Sequence, residues 1–349
     1  MDAAAAAAAR GDTKKKKMLA TLVGCNYAGT PYELQGCIND VHAMRAVLLA
    51  RFGFAPADVT VLTDDQHGRG GGGGVLPTGA AVRRALDDMV ARAAPGDVLF
   101  FHFSGHGTLV PPVGGGGGGP RRRRDDEAIV PCDFNLITDV DFRELVDRVP
   151  RGATFTMASD SCHSGGLIDQ EKEQIGPTAG GADRPSLPLP LGARGRFLPY
   201  AAVLGHLSAA SGVAATHHHH LHVADHLLAL FGADASAKFQ LQVLHRHGHH
   251  GAGADAGILL SGCQTDETSA DVAQDDDAAL GGRACGAFSA ALQVVLAAHP
   301  APLTNREVVC RARVVLSDQG FQQHPCLYCS DANADAPFLG QDGTKAKSK

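Results

Sequence analysis

A histidine and a cysteine are the two side chains of this sequence whose setting best suits catalysis. His106 lies within residues 104–107 (SGHG), and Cys162 lies within residues 160–166 (DSCHSGG). Each follows an apolar run, and each stands among small residues that allow a tight turn. A cysteine thiol becomes the thiolate that attacks a carbonyl carbon once a neighbouring base has taken its proton, and imidazole suits the role of that base. The pair therefore indicates a nucleophile, Cys162, with His106 as its general base.

Backbone groups beside the same two residues suit the tetrahedral intermediate of acyl transfer. The N–H groups of Gly107 and Cys162 would flank the carbonyl under attack, where negative charge develops. The spacing indicates no third catalytic residue, so a Cys-His dyad is the simplest hypothesis. Taken singly, a buried cysteine is more often a core residue, and a histidine in a turn is more often structural. The combination at two strand ends is what favours catalysis.

Apolar strands alternating with amphipathic helices must position this pair. The alternation predicts a mostly parallel sheet covered by helices on both faces. Sites in such sheets form at the carboxyl ends of strands, and His106 and Cys162 both follow such ends. The predicted strands are 19–24, 59–62, 98–103, 153–158 and 257–261, and the predicted helices are 38–51, 77–94, 285–298 and 304–318.

Composition narrows the class of protein. The chain has 349 residues, a hydrophobic fraction of 44% and a net charge of -6, with no basic face that would indicate a nucleic-acid binder. No apolar run approaches the roughly 18 residues that a membrane span needs. The nine cysteines are odd in number and irregularly spaced, which predicts free thiols in a reducing compartment. No signal peptide is evident, so the expected location is cytoplasmic.

Three segments look like insertions rather than packed strands. Residues 111–124 combine six glycines with four arginines, and residues 170–200 are rich in Gly, Pro and Ala. Both are expected to be mobile. Residues 206–250 carry eleven of the 18 histidines. This segment is either an unselected low-complexity insert or one that gains charge near pH ~6.5 and favours activation in acid.

The two reactive motifs closely resemble the active-site motifs of metacaspases, in the caspase-like peptidase clan. The long linker after Cys162 and the lack of a long N-terminal prodomain resemble plant type II metacaspases, within them the metacaspase-9-like branch. The resemblance implies a caspase-like three-layer α/β fold and a cysteine-type endopeptidase that acts in programmed cell death or stress responses. Five further segments agree: 36–41 (GCINDV), 126–133 (DEAIVPCD), 136–139 (LITD), 259–264 (LLSGCQ) and 323–331 (QHPCLYCSD).

The resemblance also implies cleavage after Arg or Lys. Asp40 and Asp160 fall on the family positions that line the primary specificity pocket, S1. Two carboxylates in a pocket favour a guanidinium or an ammonium by charge and by hydrogen bonding. For Asp40 there is an alternative that is compatible with the first. It could be the N-cap of a helix over residues 41–51.

Self-cleavage of the linker is a further implication of the resemblance. Arg196 is the expected cut position and Arg194 the second choice, which would give fragments of roughly 196 and 153 residues. The implied organisation has four parts. These are a disordered tail (1–17), a large p20-like catalytic subunit (18–169), a flexible linker (170–255) and a small p10-like subunit (256–349).

Calcium is the one cofactor that the resemblance brings up, since most type II members bind it through an acidic cluster. Asp139, Asp141 and Asp169 match part of that cluster. The loop after His106, acidic in many relatives, here carries four arginines that would repel a cation. We therefore expect weak or no calcium dependence and no required cofactor. The expected partners are peptide and protein substrates, and the expected state is a monomer.

A second hypothesis is a catalytically silent protein that keeps the fold and binds metal or partners. The segment around His324, Cys326 and Cys329 offers soft ligands for zinc, although a second C-x-x-C pair is missing. The intact pair of His106 and Cys162 favours the enzyme, because a silent relative has no chemical need of both.

Overall fold

The computed structural model describes residues 16–65, 75–111, 125–168, 172–176, 189, 192–213, 221–244, 257–264, 267–273 and 283–340. Most of the predicted tail (1–17), the glycine- and arginine-rich part of 111–124 and Asp169 lie outside these residues. The first described residues are attached to the domain, since the Lys17 N–H donates to the Asp97 carboxylate over 2.8 Å.

The strands are β1 Met18–Gly24, β2 Val59–Thr63, β3 Val98–Ser104, β4 Gly107–Val110, β5 Asp126–Ile129, β6 Ile137–Thr138, β7 Thr154–Asp160, β8 Glu173–Ile175, β9 Ala193–Gly195, β10 Gly257–Ser261, β11 Ala270–Val272, β12 Cys285–Gly286 and β13 Cys326–Tyr328. The helices are α1 Cys37–Val47 (continued by a π-helical turn, Leu48–Phe52), α2 Gly79–Ala91, α3 Asp139–Asp147, α4 Tyr200–Ser211, α5 Leu221–Phe231, α6 Ala233–Leu244, α7 Ala287–Ala298, α8 Asn305–Asp318 and α9 Asp331–Ala334.

A seven-stranded sheet in the order β2-β1-β3-β7-β10-β13-β8 forms the centre of the described structure. The first five strands run parallel, and β13 and β8 continue the sheet in antiparallel pairing. The register aligns Gly24 with Ser104 and Ser104 with Asp160, so these carboxyl ends meet at one edge. The loops that follow β1, β3 and β7 therefore converge there.

The central strands bury both faces, as their near-continuous apolar sequences require. In β3, Leu99, Phe101 and Phe103 belong to one core, and Val98 and Phe100 belong to the other. This is the period of two expected of a strand. The first core takes apolar side chains from α2 to α6, and the second takes them from α1, α7 and α8. The predicted three-layer α/β fold is thus confirmed.

The segment expected to be a flexible linker contains more regular structure than its composition predicts. Strand β8 pairs with β13, and β9 pairs with β11. Helices α4 to α6 bury an apolar stripe against the first core, through Val203, Leu207, Val223, Leu227 and Phe239. Pairing and packing with distant elements order these residues, whereas the domain boundaries themselves stay a prediction. Among the described helices, none is long and apolar enough to cross a membrane.

Candidate active site

His106 follows β3 and is held by two tyrosines from the loop after β1. Its N–H donates to the Tyr27 hydroxyl over 2.9 Å, and its Nε2 lies 2.8 Å from the Tyr32 carbonyl oxygen. Because a carbonyl only accepts, Nε2 carries the proton and Nδ1 is left as an acceptor. Nδ1 is buried and has no hydrogen-bond partner among the described residues. Burial lowers the pKa of His106, which favours the neutral ring at neutral pH.

Cys162 follows β7, and its thiol is fully buried. Its Sγ accepts the Ser269 N–H over 3.0 Å, and the Ser269 carbonyl accepts the Arg196 N–H over 2.9 Å. One residue therefore holds both the thiol and the backbone of Arg196. The two reactive motifs also touch: a side chain at Gly107 would collide with the Cys162 carbonyl oxygen. A residue without Cβ is required at position 107 for this approach.

Arg196 is the largest fully buried side chain of the described structure, and it fills a pocket of carboxylates. Its Nη2 lies 3.1 Å from Asp40 Oδ2 and 2.9 Å from Asp271 Oδ1, and its Nη1 lies 3.3 Å from Asp160 Oδ1. Nη1 also donates to the Ser104 hydroxyl and to the Asp160 carbonyl, both over 2.9 Å. The pocket thus binds the guanidinium both through ion pairs with carboxylates and through hydrogen bonds to well-placed acceptors.

The three carboxylates are fixed by donors from the surrounding loops and helices. Burial raises the pKa of Asp40 to about 7; the charge of Arg196 opposes this effect, and the negative charge of Asp160 adds to it. The donors are the Gly286 N–H and Ser104 hydroxyl for Asp40, the Ser269 hydroxyl and Ser289 N–H for Asp160, and the Gln35 and Gly36 N–H groups for Asp271.

The backbone around Arg196 runs through the site as an extended segment. Strand β9 pairs antiparallel with β11. The Gly107 N–H then donates to the Arg196 carbonyl over 2.9 Å, and the Gly107 carbonyl accepts the Leu198 N–H over 2.9 Å. The Gly107 N–H therefore contacts the Arg196 carbonyl oxygen, the contact expected of an oxyanion donor. The role of the Cys162 N–H as the second donor stays a prediction. Arg194 lies outside the pocket and donates to the Glu33 carbonyl over 2.7 Å.

The alternative reading of Asp40 as a helix N-cap is wrong. Helix α1 begins at Cys37 with Gly36 as its N-cap, so Asp40 lies one turn inside. The Asn26 side chain accepts the Cys37 N–H over 3.0 Å, which gives the first N–H of the helix a hydrogen-bond partner. This earlier start leaves the Asp40 carboxylate in the pocket.

Sequence reasoning missed Asp271, Tyr27 and Tyr32. Asp271 lies in β11, a three-residue strand without a periodic signal. Tyr27 and Tyr32 lie in the loop that follows β1. One signal was present for the tyrosines, since that loop leaves the same sheet edge as His106 and Cys162.

Two of the three predicted calcium residues already have partners in the described structure, and the third, Asp169, lies outside the described residues. Asp141 accepts the Thr138 N–H over 3.0 Å and pairs with Arg83 at 3.2 Å and with Lys238 at 2.9 Å. The carboxylate is therefore already neutralised by two cations. Asp139 accepts the Val140 N–H over 2.8 Å. Within the described residues, no group of three or more His, Cys, Asp or Glu side chains is arranged to hold a metal ion.

The comparisons with known proteins identify the family of this chain. The family model "Metacaspase, peptidase C14 domain" matches residues 16–171. Metacaspase-9 of Arabidopsis thaliana is 51% identical over 340 residues, which cover 93% of this chain and 98% of that protein. Metacaspase-7 of the same plant is 35% identical, with coverage of 92% and 99%.

Among solved structures, the crystal structure of protein GSU0716 from Geobacter sulfurreducens superposes with a TM-score of 0.54 at 20% identity, covering 91% of this chain and 97% of that one. This likeness concerns the fold alone. The sequence relatives carry the assignment, and they confirm the resemblance to plant type II metacaspases and the metacaspase-9-like branch. The chain belongs to the metacaspase family of cysteine peptidases.

Proposed function

We propose that the protein is an endopeptidase that cleaves after Arg or Lys with a Cys162–His106 dyad. One observation carries the proposal: Arg196 fills the carboxylate pocket while its carbonyl accepts the Gly107 N–H. A basic side chain is thus recognised in the same place where a backbone carbonyl meets a candidate oxyanion donor. A buried guanidinium serving only as a structural ion pair would not require that second contact.

The chemistry follows from the proton acceptor on His106. Nδ1 takes the Cys162 proton, and the thiolate attacks the carbonyl carbon of the basic residue. The Gly107 and Cys162 N–H groups stabilise the oxyanion. The imidazolium protonates the leaving amine, which leaves a thioester that water then hydrolyses. The Tyr32 carbonyl keeps Nε2 protonated throughout, and so acts as the positioning group that a bare dyad lacks.

The first substrate in this proposal is the chain itself, cut between Arg196 and Phe197. Support comes from the position of Arg196, whereas Arg194 points to a backbone carbonyl outside the pocket. The expected products have roughly 196 and 153 residues, counted from the full sequence. Burial of both the thiol and the pocket by this segment indicates that uncut protein is closed to other substrates.

We further propose that calcium is not required. The support is the pairing of Asp141 with Arg83 and Lys238, which a calcium ion would have to displace. The monomeric state is supported by β8, the strand at this end of the sheet, because an edge strand of three residues offers little backbone for pairing with a second copy. The nine free cysteines suit the reducing cytoplasm. A role in programmed cell death or stress responses is proposed from the family alone.

The test compares wild type with Cys162→Ala and with Cys310→Ala, an exposed thiol that serves as the matched control. Fluorogenic peptides ending in Arg, Lys and Asp are assayed with a chelator and with added calcium. We expect cleavage after Arg and Lys, its loss only in Cys162→Ala, and no effect of the chelator. Equal rates for wild type and Cys162→Ala would refute the protease proposal and favour the silent binding protein.

A further inference from the structure

Phe197, the residue after the proposed cut, contacts a side chain that the mechanism does not use. Its ring centroid lies 4.6 Å from that of His163, with the rings at 69° in an edge-to-face arrangement. Its backbone forms a parallel bridge with Gly107, the oxyanion donor. The contact therefore lies directly beside the scissile bond, on the leaving-group side.

The backbone of His163 sets the direction in which its side chain leaves the turn. His163 has a φ of 51°, a left-handed conformation that few residues with a side chain adopt. The neighbouring Ser164 hydroxyl is held by the Ser161 carbonyl at 3.2 Å and by the Ser261 hydroxyl at 2.7 Å. These contacts hold the turn that carries His163, so part of the ordering cost of the subsite is met before a substrate binds.

We propose that His163 forms the subsite for the first residue after the cut, and that it selects substrates with an aromatic residue there. The inference rests on the proposed function and names a substrate class for it: a basic residue followed by an aromatic one. Edge-to-face pairs gain energy beyond area burial because the positive ring edge meets the negative ring face. The 36% exposure of Phe197 leaves room for rings of different size.

The experiment uses processed wild-type enzyme and quenched fluorescent peptides with the sequence of residues 192–200 (GARGRFLPY). Two further peptides replace the phenylalanine by alanine or by cyclohexylalanine, which has the bulk without the aromatic ring. We expect kcat/KM to be about 2- to 10-fold higher for phenylalanine than for alanine, with cyclohexylalanine below phenylalanine. The peptide series involves no change in the protein, so folding does not enter.

The protein variant is His163→Asn, because asparagine tolerates the left-handed conformation and has no ring. In this variant we expect the ratio of kcat/KM for the phenylalanine peptide to that for the alanine peptide to fall to about 1. The ratio of kcat/KM for peptides with Arg before the cut to that for peptides with Lys there should stay as in wild type. An unchanged phenylalanine preference in His163→Asn, or none in wild type, overturns the inference. No cleavage of any peptide by wild type would instead overturn the proposed function.

Discussion

Replacing Arg196 by Gln is the sharpest perturbation of the proposed self-cleavage. The guanidinium is fully buried and contacts Asp40, Asp160 and Asp271 within 3.3 Å. Gln keeps part of the length and removes the charge, which leaves buried carboxylates without a counter-charge. Removing one partner of a buried ion pair costs about 3–5 kcal/mol. Converted at about 1.4 kcal/mol per tenfold, cleavage after position 196 should slow by roughly 100- to 5,000-fold.

Lysine at the same position should fall between Arg and Gln. The two Nη atoms of Arg196 divide their contacts, with Asp160 and Ser104 at Nη1 and Asp40 and Asp271 at Nη2. A single ammonium does not reach both sets, and a lost charged hydrogen bond costs about 1.5–3 kcal/mol. Arg196→Lys should therefore slow self-cleavage by about 10- to 150-fold.

The assay follows the full-length band and the two fragments over time on denaturing gels, with mass spectrometry of the new termini. Arg194→Gln is the matched control, because it removes the same charge two residues earlier on the same extended segment, where the side chain donates to the Glu33 carbonyl outside the pocket. We expect less than a fewfold change there. Cleavage of Arg196→Gln after position 196 at the wild-type rate would refute the role of the pocket, as would loss of that cut in Arg194→Gln alone.

Four further predictions concern the oxyanion donor, the pocket and two histidines. Gly107→Ala should slow self-cleavage more than about 100-fold, because the added methyl collides with Cys162. Asp271→Asn should lower kcat/KM for Arg-ending peptides at least about tenfold, because a charged acceptor is lost. Burial lowers the pKa of His106, so the acid limb of self-cleavage should have its midpoint below pH ~6.5. Burial lowers the pKa of His102 to about 4, so between pH ~6.5 and pH ~4 a proton binds His102 in the unfolded chain and not in the folded one. In Cys162→Ala protein, the free energy of unfolding should therefore drop by roughly 3 kcal/mol over this range, relative to the same protein that also carries His102→Asn.

Each of these has its own contradicting result. Folded Gly107→Ala protein that processes normally would remove Gly107 from the oxyanion site. An Asp271→Asn enzyme with unchanged kcat/KM would leave the pocket to the other two carboxylates. A pH–rate midpoint at or above ~6.5 that persists in Asp40→Asn protein, and so does not come from Asp40, would contradict a lowered pKa of His106. If the free energy of unfolding, measured with urea, changes equally with pH in Cys162→Ala protein with and without His102→Asn, the lowered pKa of His102 in the folded state is refuted.

Much of the site could be predicted from sequence, because sites form at the carboxyl ends of parallel strands and those ends can be located from short stretches of sequence. The apolar runs before His106 and Cys162 define buried parallel strands, and the reactive residue of each follows within two residues. Asp271 was not accessible in that way. It enters the pocket because β11 pairs with β9 and because loop N–H groups at Gln35 and Gly36 hold its carboxylate, which no local pattern encodes.

The described helices within residues 170–255 illustrate a different reason why an element was not predicted. A histidine-rich composition suggested low complexity, yet Val203 and Leu207 lie four residues apart, as do Val223 and Leu227, and all four are buried. That spacing is the helical period, so the signal was present beneath the composition. Strand β8 lacked such a signal, since three residues become a strand only by pairing with β13.

The strand order has a consequence for what a cut after Arg196 leaves behind. Strands β10 and β13 follow the cut in sequence, but they lie between β7 and β8, which precede it. The two products are therefore interleaved within one sheet, with backbone ladders on both flanks of the inserted pair. Separating them means unfolding both cores, so the fragments should persist as one non-exchanging particle at any dilution. A cut after Arg196 would therefore free two chain ends beside His106 and Cys162 and leave the sheet beneath them held together by its backbone hydrogen bonds.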